Sequence, residues 1–181
     1  MTSLKGKTVL LTGASRGLGV YIARNLAKEQ ATIVGVSRSK LRLDKVSEEI
    51  TAIGGKWISI PFDITNVAEI PTLATQIHEL AGPVDILINN AGIEMYRNFF
   101  DYSFEEMQSI LTTNLISAVA ITRLLLPSML ERRSWQFLSL FRLFVPWLLH
   151  HHFFCQNRRL SKMKCYPRRL LFLPCEVLIH F

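Results

Sequence analysis

The feature that most constrains this chain is a glycine-rich segment directly after a short apolar run. Residues 12–19 read Thr-Gly-Ala-Ser-Arg-Gly-Leu-Gly and follow the apolar residues 8–11. Gly13 permits a tight turn, and Gly17 and Gly19 carry no Cβ, so backbone N–H groups can approach a phosphate. The helix expected next adds unpaired N–H groups and a partial positive charge at its start. The segment therefore predicts a buried strand, a dinucleotide-binding turn and a helix.

Length and cysteine positions bound the class of protein. At 181 residues the chain is long enough for one domain with a buried core. Its first residues, Met1 to Lys5, lack the apolar segment of a secretory signal. All three cysteines lie beyond residue 154, so residues 1–133 offer no disulfide framework. We therefore expect a cytoplasmic protein.

Up to residue 133 the sequence alternates short apolar runs with amphipathic segments. Helical spacing of apolar residues, β-branched runs and glycine or proline stops separate the two kinds of segment. The predicted strands cover residues 8–12, 32–36, 57–61 and 85–89, and the predicted helices cover residues 18–29, 41–53, 67–80 and 104–126. We expect Pro127 to end the last helix. This order predicts a doubly wound parallel α/β sheet of Rossmann type, with residues 1–133 as its dinucleotide-binding domain.

The composition changes abruptly near residue 134. Residues 134–181 contain no Gly, Ala, Asp or Thr, and they hold 10 of the 18 aromatic residues. They also carry 7 of the 21 Lys and Arg residues, against the single acid Glu176. Turns and close helix packing in an α/β domain use Gly and Ala, so this segment does not continue the same pattern. We expect an aberrant basic tail rather than a separate domain, with the C-terminal part of the fold missing or irregular.

Three further motifs accompany the glycine segment. Residues 63–65 read Asp-Ile-Thr after the third predicted strand, residues 89–92 read Asn-Asn-Ala-Gly at the end of the fourth, and Asn114 lies in the last predicted helix. With the spacing Thr-Gly-x-x-x-Gly-x-Gly, residues 5–133 resemble the short-chain dehydrogenase/reductase family of NAD(P)-dependent oxidoreductases. The resemblance implies hydride transfer between a nicotinamide dinucleotide and a small carbonyl or alcohol substrate.

The resemblance also implies roles for individual residues. In the family the residue matching Asn114 orders a water in a proton relay. The alternative for Asn114 is a buried side-chain amide whose hydrogen bonds are all made within the core. Asp63 would contact the adenine or cap the following helix, and Asn89 would line the adenosine pocket or stabilise the end of the sheet. The implied cofactor-binding residues are Gly13, Ser15, Arg16, Gly17, Leu18, Gly19, Arg38, Asp63, Ile64, Asn89, Ala91 and Gly92.

The residue after the second predicted strand bears on the choice of nucleotide. Dinucleotide folds that prefer NAD place an acid there for the ribose 2′-hydroxyl, whereas a basic residue favours a 2′-phosphate. This chain has Arg38 at that point and Arg16 in the phosphate loop. A planar guanidinium pairs well with phosphate. The alternative interpretation of Arg16 is a solvated surface charge, and that of Ser15 is a capping hydroxyl. We therefore expect NADP(H) rather than NAD(H).

The catalytic motif that the resemblance calls for is missing. In the family a Tyr exchanges the proton and a Lys four residues later lowers its pKa. The tyrosines at 21, 96, 102 and 166 are followed four residues later by Asn, Phe, Glu and Leu. Ser139 stands about where the family's catalytic serine follows the fifth strand, but its neighbours do not match. We expect no meaningful catalysis by this chain.

The genetic code offers an explanation for the change near residue 134. Trp135 is encoded only by TGG and the Gln136 codon begins with C, so reading one base later gives a Gly codon. The resulting Arg-Ser-Gly is similar to the family's run before its fifth strand. Over residues 150–156 the shifted frame allows Thr-Thr-Thr-Phe-Ser-Ala-Lys, similar to the family's segment around its catalytic Lys, although no Tyr four residues earlier is recovered. We hypothesise an out-of-frame tail; divergence or an added segment is the alternative.

The tail admits other interpretations that we do not favour. Histidines 150–152 with Cys155 have zinc-binding chemistry but lack spaced ligand pairs, so we predict no metal site. The apolar residues 137–154 could touch an anionic membrane surface, but Arg142 and three His make a poor spanning helix. The basic stretch would bind nucleic acid without specificity. An oligomer is compatible with the sequence, which carries no signal for the substrate.

Overall fold

A computed structural model describes residues 4–93 and 98–132, together with the backbone of residues 136–139. The strands are β1 (Thr8–Thr12), β2 (Thr32–Ser37), β3 (Lys56–Pro61), β4 (Ile86–Asn89) and β5 (Gln136–Ser139). They form one parallel sheet in the order β3-β2-β1-β4-β5. The doubly wound parallel α/β sheet predicted from the sequence is confirmed.

Helices connect the strands in the described part of the chain. They are α1 (Leu18–Lys28), α2 (Lys40–Ala52), α3 (Ile70–Ala81), α4 (Phe104–Leu111) and α5 (Ser117–Glu131). A π-helical segment, Thr112–Ile116, joins α4 to α5. Short 3₁₀ turns, Val67–Glu69 and Phe99–Asp101, precede α3 and α4.

Different helices cover the two faces of the sheet. Leu10, in the middle of β1, packs with residues of α3 and α5, whereas its neighbours Val9 and Leu11 pack with α1 and α2. Successive side chains of a strand point to opposite faces, so one strand contributes to both clusters. All of β1 is buried, as expected for the central strand of a parallel sheet covered on both faces.

The strand order reverses beside β1, and this reversal positions the candidate site. β1 pairs with β2 on one side and with β4 on the other. The connections that follow β1 and β4 therefore diverge and leave a crevice beyond the carboxyl ends of the strands. Ligands of open α/β sheets bind in such a crevice.

Pro127 does not end the last helix, contrary to the expectation from the sequence. α5 runs through Pro127 to Glu131. A proline in a helix interior costs about 3 kcal/mol or more, but here only the last turn follows it. That turn is anchored by Met129, which is 2% exposed, and by Arg132, whose Nη2 donates to the Val84 carbonyl oxygen (2.6 Å). Core contacts therefore outweigh the proline.

The sheet extends past residue 133, where the sequence suggested that the domain ends. β5 pairs in parallel with β4, from Ile86 opposite Gln136 to Asn89 opposite Ser139. Residues 136–139, beyond the expected boundary, thus add a strand to the sheet. Residues 140–181 of the expected tail lie outside the described residues.

The helical stretch from Phe104 to Glu131 is apolar enough, by length and composition alone, to cross a membrane. Three of its buried residues, Ile121, Leu125 and Met129, belong to the core cluster that also contains Leu10. Other large apolar side chains of this stretch are exposed in the described structure. One face of this stretch therefore packs in the core of the α/β domain.

Candidate nucleotide-binding cleft

A cleft of about 1000 Å³ opens at the carboxyl ends of the central strands. It is bordered by the glycine loop after β1, the end of β2, the loops after β3 and β4, and by α4 with the π-helical segment that follows it. Eleven of the predicted site residues line it, whereas Asn89 and Asn114 do not. The lining residues are 13, 15–19, 36–39, 42, 62–65, 90–93, 105, 108, 109, 112 and 113.

The three glycines of the motif that joins β1 to α1 serve different purposes. Gly13 has a φ of +66°, and a Cβ there would lie 2.7 Å from the Ala91 Cα, so Gly13 allows contact with the chain leaving β4. Gly17 has a φ of +56°, and a Cβ there would point into open space. A Cβ on Gly19 would collide with the Gly13 carbonyl oxygen. Gly17 therefore leaves room for a ligand. Gly19, in the first turn of α1, packs closely against Gly13 and also lines the cleft, and its expected approach to a phosphate stays a prediction.

A buried threonine fixes the chain leaving β4 against the end of β1. Thr12 Oγ1 accepts hydrogen bonds from the N–H groups of Asn90 (3.1 Å) and Ala91 (3.0 Å) and donates to the Ile88 carbonyl oxygen (3.5 Å). Asn90 Nδ2 donates back to the carbonyl oxygens of Thr12 (3.0 Å) and Gly13 (3.2 Å). Sequence reasoning missed Thr12 and Asn90, whose signal is their place as the first residue of the glycine motif and the second residue of the Asn-Asn-Ala-Gly motif.

Asn89 lies at the end of β4 and is buried away from the cleft lining. Its Nδ2 donates to Thr122 Oγ1 (3.2 Å), and that hydroxyl donates to the Ala118 carbonyl oxygen (2.7 Å). This contact ties β4 to α5, in keeping with the sheet-stabilising alternative for Asn89. The next residue, Asn90, borders the cleft instead, because consecutive side chains leave a strand on opposite sides.

Asp63 and Ile64 follow β3 and line the cleft. Asp63 Oδ1 accepts hydrogen bonds from the N–H (3.0 Å) and the hydroxyl (2.8 Å) of Thr65. The carboxylate thus caps a local turn, not helix α3, which begins at Ile70. Ile64 is 8% exposed and belongs to the core cluster as well as the cleft wall.

Three exposed arginines, Arg16, Arg38 and Arg42, line the same cleft. None of the ion pairs in the described part of the chain involves them. By contrast, Arg24 on α1 pairs with Glu49 on α2 (2.6 Å). The cleft therefore gathers positive charge without carboxylate partners, an arrangement suited to phosphate groups.

The start of α4 gives another part of the wall a negative charge. Ser103 caps the helix, since its Oγ accepts from the Glu106 N–H (3.2 Å) while Glu106 Oε2 accepts from the Ser103 N–H (2.9 Å). Glu105 borders the cleft beside them. Hydrogen bonds from its own backbone N–H and from Ser103 hold the pKa of Glu105 below its usual value. Glu105 is thus ionised at neutral pH and disfavours an anion on this side.

Asn114 is buried in the π-helical segment and contacts a residue of the cleft wall. Its Oδ1 accepts from the Ile93 N–H (2.9 Å), and its Nδ2 donates to the Ile93 carbonyl oxygen (2.9 Å). Ile93 lines the cleft directly after the Asn-Asn-Ala-Gly motif. Asn114 therefore positions the loop after β4, and the proton-relay role implied by the resemblance stays a prediction.

Comparison with known proteins identifies the family. A family model described as short chain dehydrogenase matches residues 7–136. The chain belongs to the short-chain dehydrogenase family. The resemblance inferred from the sequence motifs is thereby confirmed.

Individual short-chain dehydrogenases match over the same part of the chain. Ketoacyl reductase HetN of Nostoc sp. is 57% identical over 140 residues, which are 77% of this chain and 49% of that protein. A fatty acyl-CoA reductase of Mycobacterium tuberculosis is 35% identical over 131 residues, 71% of this chain and 45% of that protein. The chain thus spans about half the length of these curated relatives. A solved metagenomic short-chain oxidoreductase in complex with NADP, 31% identical, has a TM-score of 0.71 and covers 75% of this chain and 62% of its own.

The residues present fit the nicotinamide dinucleotide of a short-chain dehydrogenase. Gly17 leaves open space beside the phosphate loop, where a side chain would intrude. Ser37 Oγ, at the end of β2, is buried at the cleft and has no hydrogen-bond partner among the described residues. The glycine loop, Ser37 with Arg38, and the loop at Asp63 would hold the group.

The catalytic machinery of a short-chain dehydrogenase is not assembled by the described residues. Tyr21 is 53% exposed on α1, and neither Tyr21 nor Tyr102 lines the cleft. The tyrosines at 96 and 166 lie outside the described residues. Ser139 ends β5 opposite Asn89, at the carboxyl edge of the sheet, and a catalytic role for it stays a prediction.

A protein metal site needs several His, Cys, Asp or Glu side chains close together. Within residues 4–93 and 98–132, no group of three His, Cys, Asp or Glu side chains is placed to hold a metal ion. Histidines 150–152 and Cys155 lie outside the described residues. The expectation of no metal site therefore stays a prediction.

Proposed function

We propose that the chain derives from an NADP-dependent short-chain oxidoreductase, and that the 181-residue protein binds NADP(H) without catalysing hydride transfer. One observation carries this proposal. The cleft is lined by the open Gly17 and by three arginines without ion-pair partners in the described structure. The same chain has no Tyr followed four residues later by Lys. We therefore expect the protein to bind the nucleotide without catalysing hydride transfer.

NADP(H) is favoured over NAD(H) by the charge at the end of β2. A basic residue at this point of a dinucleotide fold accommodates a 2′-phosphate, whereas an acid there binds the 2′-hydroxyl. Arg38 occupies the position, and Arg16 lies in the phosphate loop of the same cleft. The solved relative of 31% identity that contains NADP supports the same choice.

The names of the relatives support a carbonyl and alcohol pair as substrate and product. They are a ketoacyl reductase and a fatty acyl-CoA reductase. A bound nicotinamide supplies or accepts the hydride in such reactions. In this chain the glycine loop binds phosphate, Asp63 and Ile64 border the cleft beyond β3, and Asn114 orients Ile93. The sequence has no Tyr with a Lys four residues later to donate the proton, and general acid catalysis contributes about 10²–10⁴-fold.

A change of reading frame near residue 134 accounts for the absent motif. It is supported by the family match, which ends at residue 136, and by the loss of Gly and Ala after residue 133. The test is to sequence the coding DNA across codons 130–160. An inserted or deleted base there supports the account, and an intact frame contradicts it in favour of a protein that is non-catalytic by descent.

The functional claim is tested by assaying purified protein with saturating NADPH and a panel of ketoacyl thioesters and small ketones. We expect no NADPH oxidation above a protein-free control, while nucleotide binding is detected by fluorescence. Correcting the frame near codon 134 is expected to restore turnover. Robust turnover by the 181-residue chain, lost in Asn114→Ala and kept in Asn25→Ala, would contradict the claim.

The second candidate is an unstable product that binds no nucleotide. It is favoured by the large apolar side chains exposed in the described structure, such as Phe104 (73%) and Val119 (53%). A cooperative thermal transition that NADPH raises supports the first candidate, because a ligand of the native state stabilises it. A non-cooperative transition, unchanged by NADPH, supports the second. We further propose a cytoplasmic location, and oligomer formation stays a prediction.

A further inference from the structure

A third basic residue borders the cleft near Arg38, and the sequence motifs did not single it out. We propose that Arg42 binds the 2′-phosphate of NADP(H) together with Arg38 and shares in excluding NAD(H). This inference rests on the proposed nucleotide preference. Arg42 follows Arg38 by four residues and lines the same cleft.

The start of α2 fixes the position of Arg42. Ser39 is the N-cap of the helix, and its Oγ accepts a hydrogen bond from the Arg42 N–H (3.4 Å). The Leu43 N–H donates to the Ser39 carbonyl oxygen (3.1 Å). Arg42 is therefore in the first turn of α2, and Arg38 directly precedes the cap. The two arginines leave the backbone within about one helical turn of each other.

The first turn of α2 carries positive charge that no acidic residue of that turn compensates. Unpaired N–H groups make the start of a helix partially positive, so cations there are unfavourable. α2 has no acidic residue in its first turn. Lys40, in the same turn, is neutralised by Asp44, with 2.7 Å between Nζ and Oδ2. Arg42 has no carboxylate partner in the described part of the chain, and a bound phosphate would supply the missing charge.

An independent feature points to a ligand at the same place. Ser37 Oγ is buried at the end of β2, borders the cleft and has no hydrogen-bond partner among the described residues. A buried polar group left unpaired costs about 1–3 kcal/mol. An oxygen of a bound ribose or phosphate would satisfy this hydroxyl. Ser37 and the two arginines thus form one candidate subsite.

The chemistry of a phosphate monoester explains why two arginines would act together. Such a group carries a charge of about −1.5 to −2 at neutral pH and offers three acceptor oxygens. One guanidinium pairs with two oxygens in a bidentate contact. Arg38, and Arg16 in the phosphate loop, can each pair with such a group, and Arg42 would add a further contact from the first turn of α2. NADH has no phosphate there, so its affinity would not depend on Arg42.

The test measures binding rather than turnover. Isothermal titration calorimetry compares the 181-residue protein with its Arg42→Gln variant, using NADPH, NADH and adenosine 2′,5′-bisphosphate as probes. We expect Arg42→Gln to weaken NADPH and the bisphosphate about tenfold, the effect of one charge-assisted hydrogen bond. NADH affinity is expected to stay within about twofold, because NADH lacks the group contacted.

The matched control is Lys40→Gln, which removes a positive charge from the same turn but breaks only the pair with Asp44. We expect it to leave NADPH affinity within about twofold of wild type. Equal weakening by Lys40→Gln and Arg42→Gln would overturn the proposal, since it would show a general electrostatic effect. Equal weakening of NADPH and NADH by Arg42→Gln would overturn it as well.

Folding of each variant is checked by thermal unfolding. If Arg42→Gln does not fold, Arg42→Lys decides, because lysine keeps the charge but loses the bidentate fork; about threefold weaker NADPH binding is expected and no change overturns the proposal. Wild-type protein that binds NADPH no tighter than NADH contradicts the proposed function itself. Wild-type selectivity that survives unaltered in a folded Arg42→Gln variant contradicts only the role of Arg42.

Discussion

The side-chain amide of Asn114 forms two hydrogen bonds with the backbone of a single residue, Ile93. Its Oδ1 accepts from the Ile93 N–H and its Nδ2 donates to the Ile93 carbonyl oxygen, each at 2.9 Å. Asn114 lies in the π-helical segment, and Ile93 follows β4 at the cleft wall. The pair therefore joins a helix to the loop that forms the candidate site, using donor and acceptor of one amide together.

Asn114→Ala should destabilise the fold and weaken nucleotide binding together. The substitution leaves the Ile93 N–H and carbonyl without their partner at a site where Asn114 is 6% exposed. We expect the free energy of unfolding to fall by about 2–4 kcal/mol, as for two polar groups left unsatisfied. Urea denaturation measures the loss, and NADPH titration should show weaker binding.

The control for this prediction is Asn25→Ala. Asn25 Nδ2 donates to the Tyr21 carbonyl oxygen (2.8 Å) on the exposed side of α1. Its removal should change the free energy of unfolding by no more than about 0.5 kcal/mol. Similar losses in both variants would show that the contact with Ile93 has no special importance.

Thr12→Val should remove the hydrogen bonds that hold the end of β1 against the chain leaving β4, while it keeps the shape of the side chain. Thr12 is 1% exposed, and its Oγ1 accepts from the N–H groups of Asn90 and Ala91. Valine cannot accept these bonds, so we expect about 2–4 kcal/mol lower stability in urea denaturation. Thr75→Val is the control, since its hydroxyl bonds only the Pro71 carbonyl oxygen on an exposed helix turn. A stability of Thr12→Val equal to that of Thr75→Val would contradict the prediction.

Alanine at Gly13 and at Gly17 should have different effects, although both glycines have positive φ. At Gly13 the new Cβ would meet the Ala91 backbone, so we expect a loss of stability of about 3 kcal/mol or more. At Gly17 the methyl meets nothing, and the backbone strain costs about 1–2 kcal/mol. NADPH affinity should nevertheless fall at least about tenfold in Gly17→Ala, because the methyl occupies ligand space. Unaltered affinity of Gly17→Ala for NADPH would show that no phosphate lies there.

Arg38→Asp should reverse the nucleotide preference. The carboxylate repels a 2′-phosphate and can accept a hydrogen bond from a 2′-hydroxyl. Calorimetric titration should show weaker NADPH binding and NADH binding at least as tight as in the wild type. Arg123→Asp makes the same charge change on α5, outside the cleft lining, and should preserve the wild-type order. If both variants weakened the binding of both nucleotides, the effect would come from net charge alone and the prediction would be wrong.

The regular elements of the first 130 residues could be predicted because their signals are local. β1 is an apolar run stopped by Gly13, and α2 begins at the capping residue Ser39. Pro127 was misjudged because the contacts that hold the last turn, such as that of Arg132 with Val84, join residues 48 positions apart. The π-helical segment has no comparable local signal.

The candidate site was predictable where a motif acts through its own backbone and charge. The glycine loop and Arg38 line the cleft as their spacing suggested. Thr12 and Asn90 were missed because their bond joins residues 78 positions apart. The choice between Asn89 and Asn90 depends on which side each side chain leaves β4, and two adjacent identical residues carry no sign of it.

The central claim is that this cleft binds NADP(H) in preference to NAD(H). The most direct measurement is a calorimetric titration of the wild-type 181-residue protein with NADPH and with NADH in the same buffer, at low and at physiological salt. The account predicts NADPH binding at least about tenfold tighter at low salt, since a charge-assisted contact contributes that much. The ratio should shrink as salt screens the exposed arginines. Equal affinities, or no binding of either nucleotide by folded protein, would contradict the account.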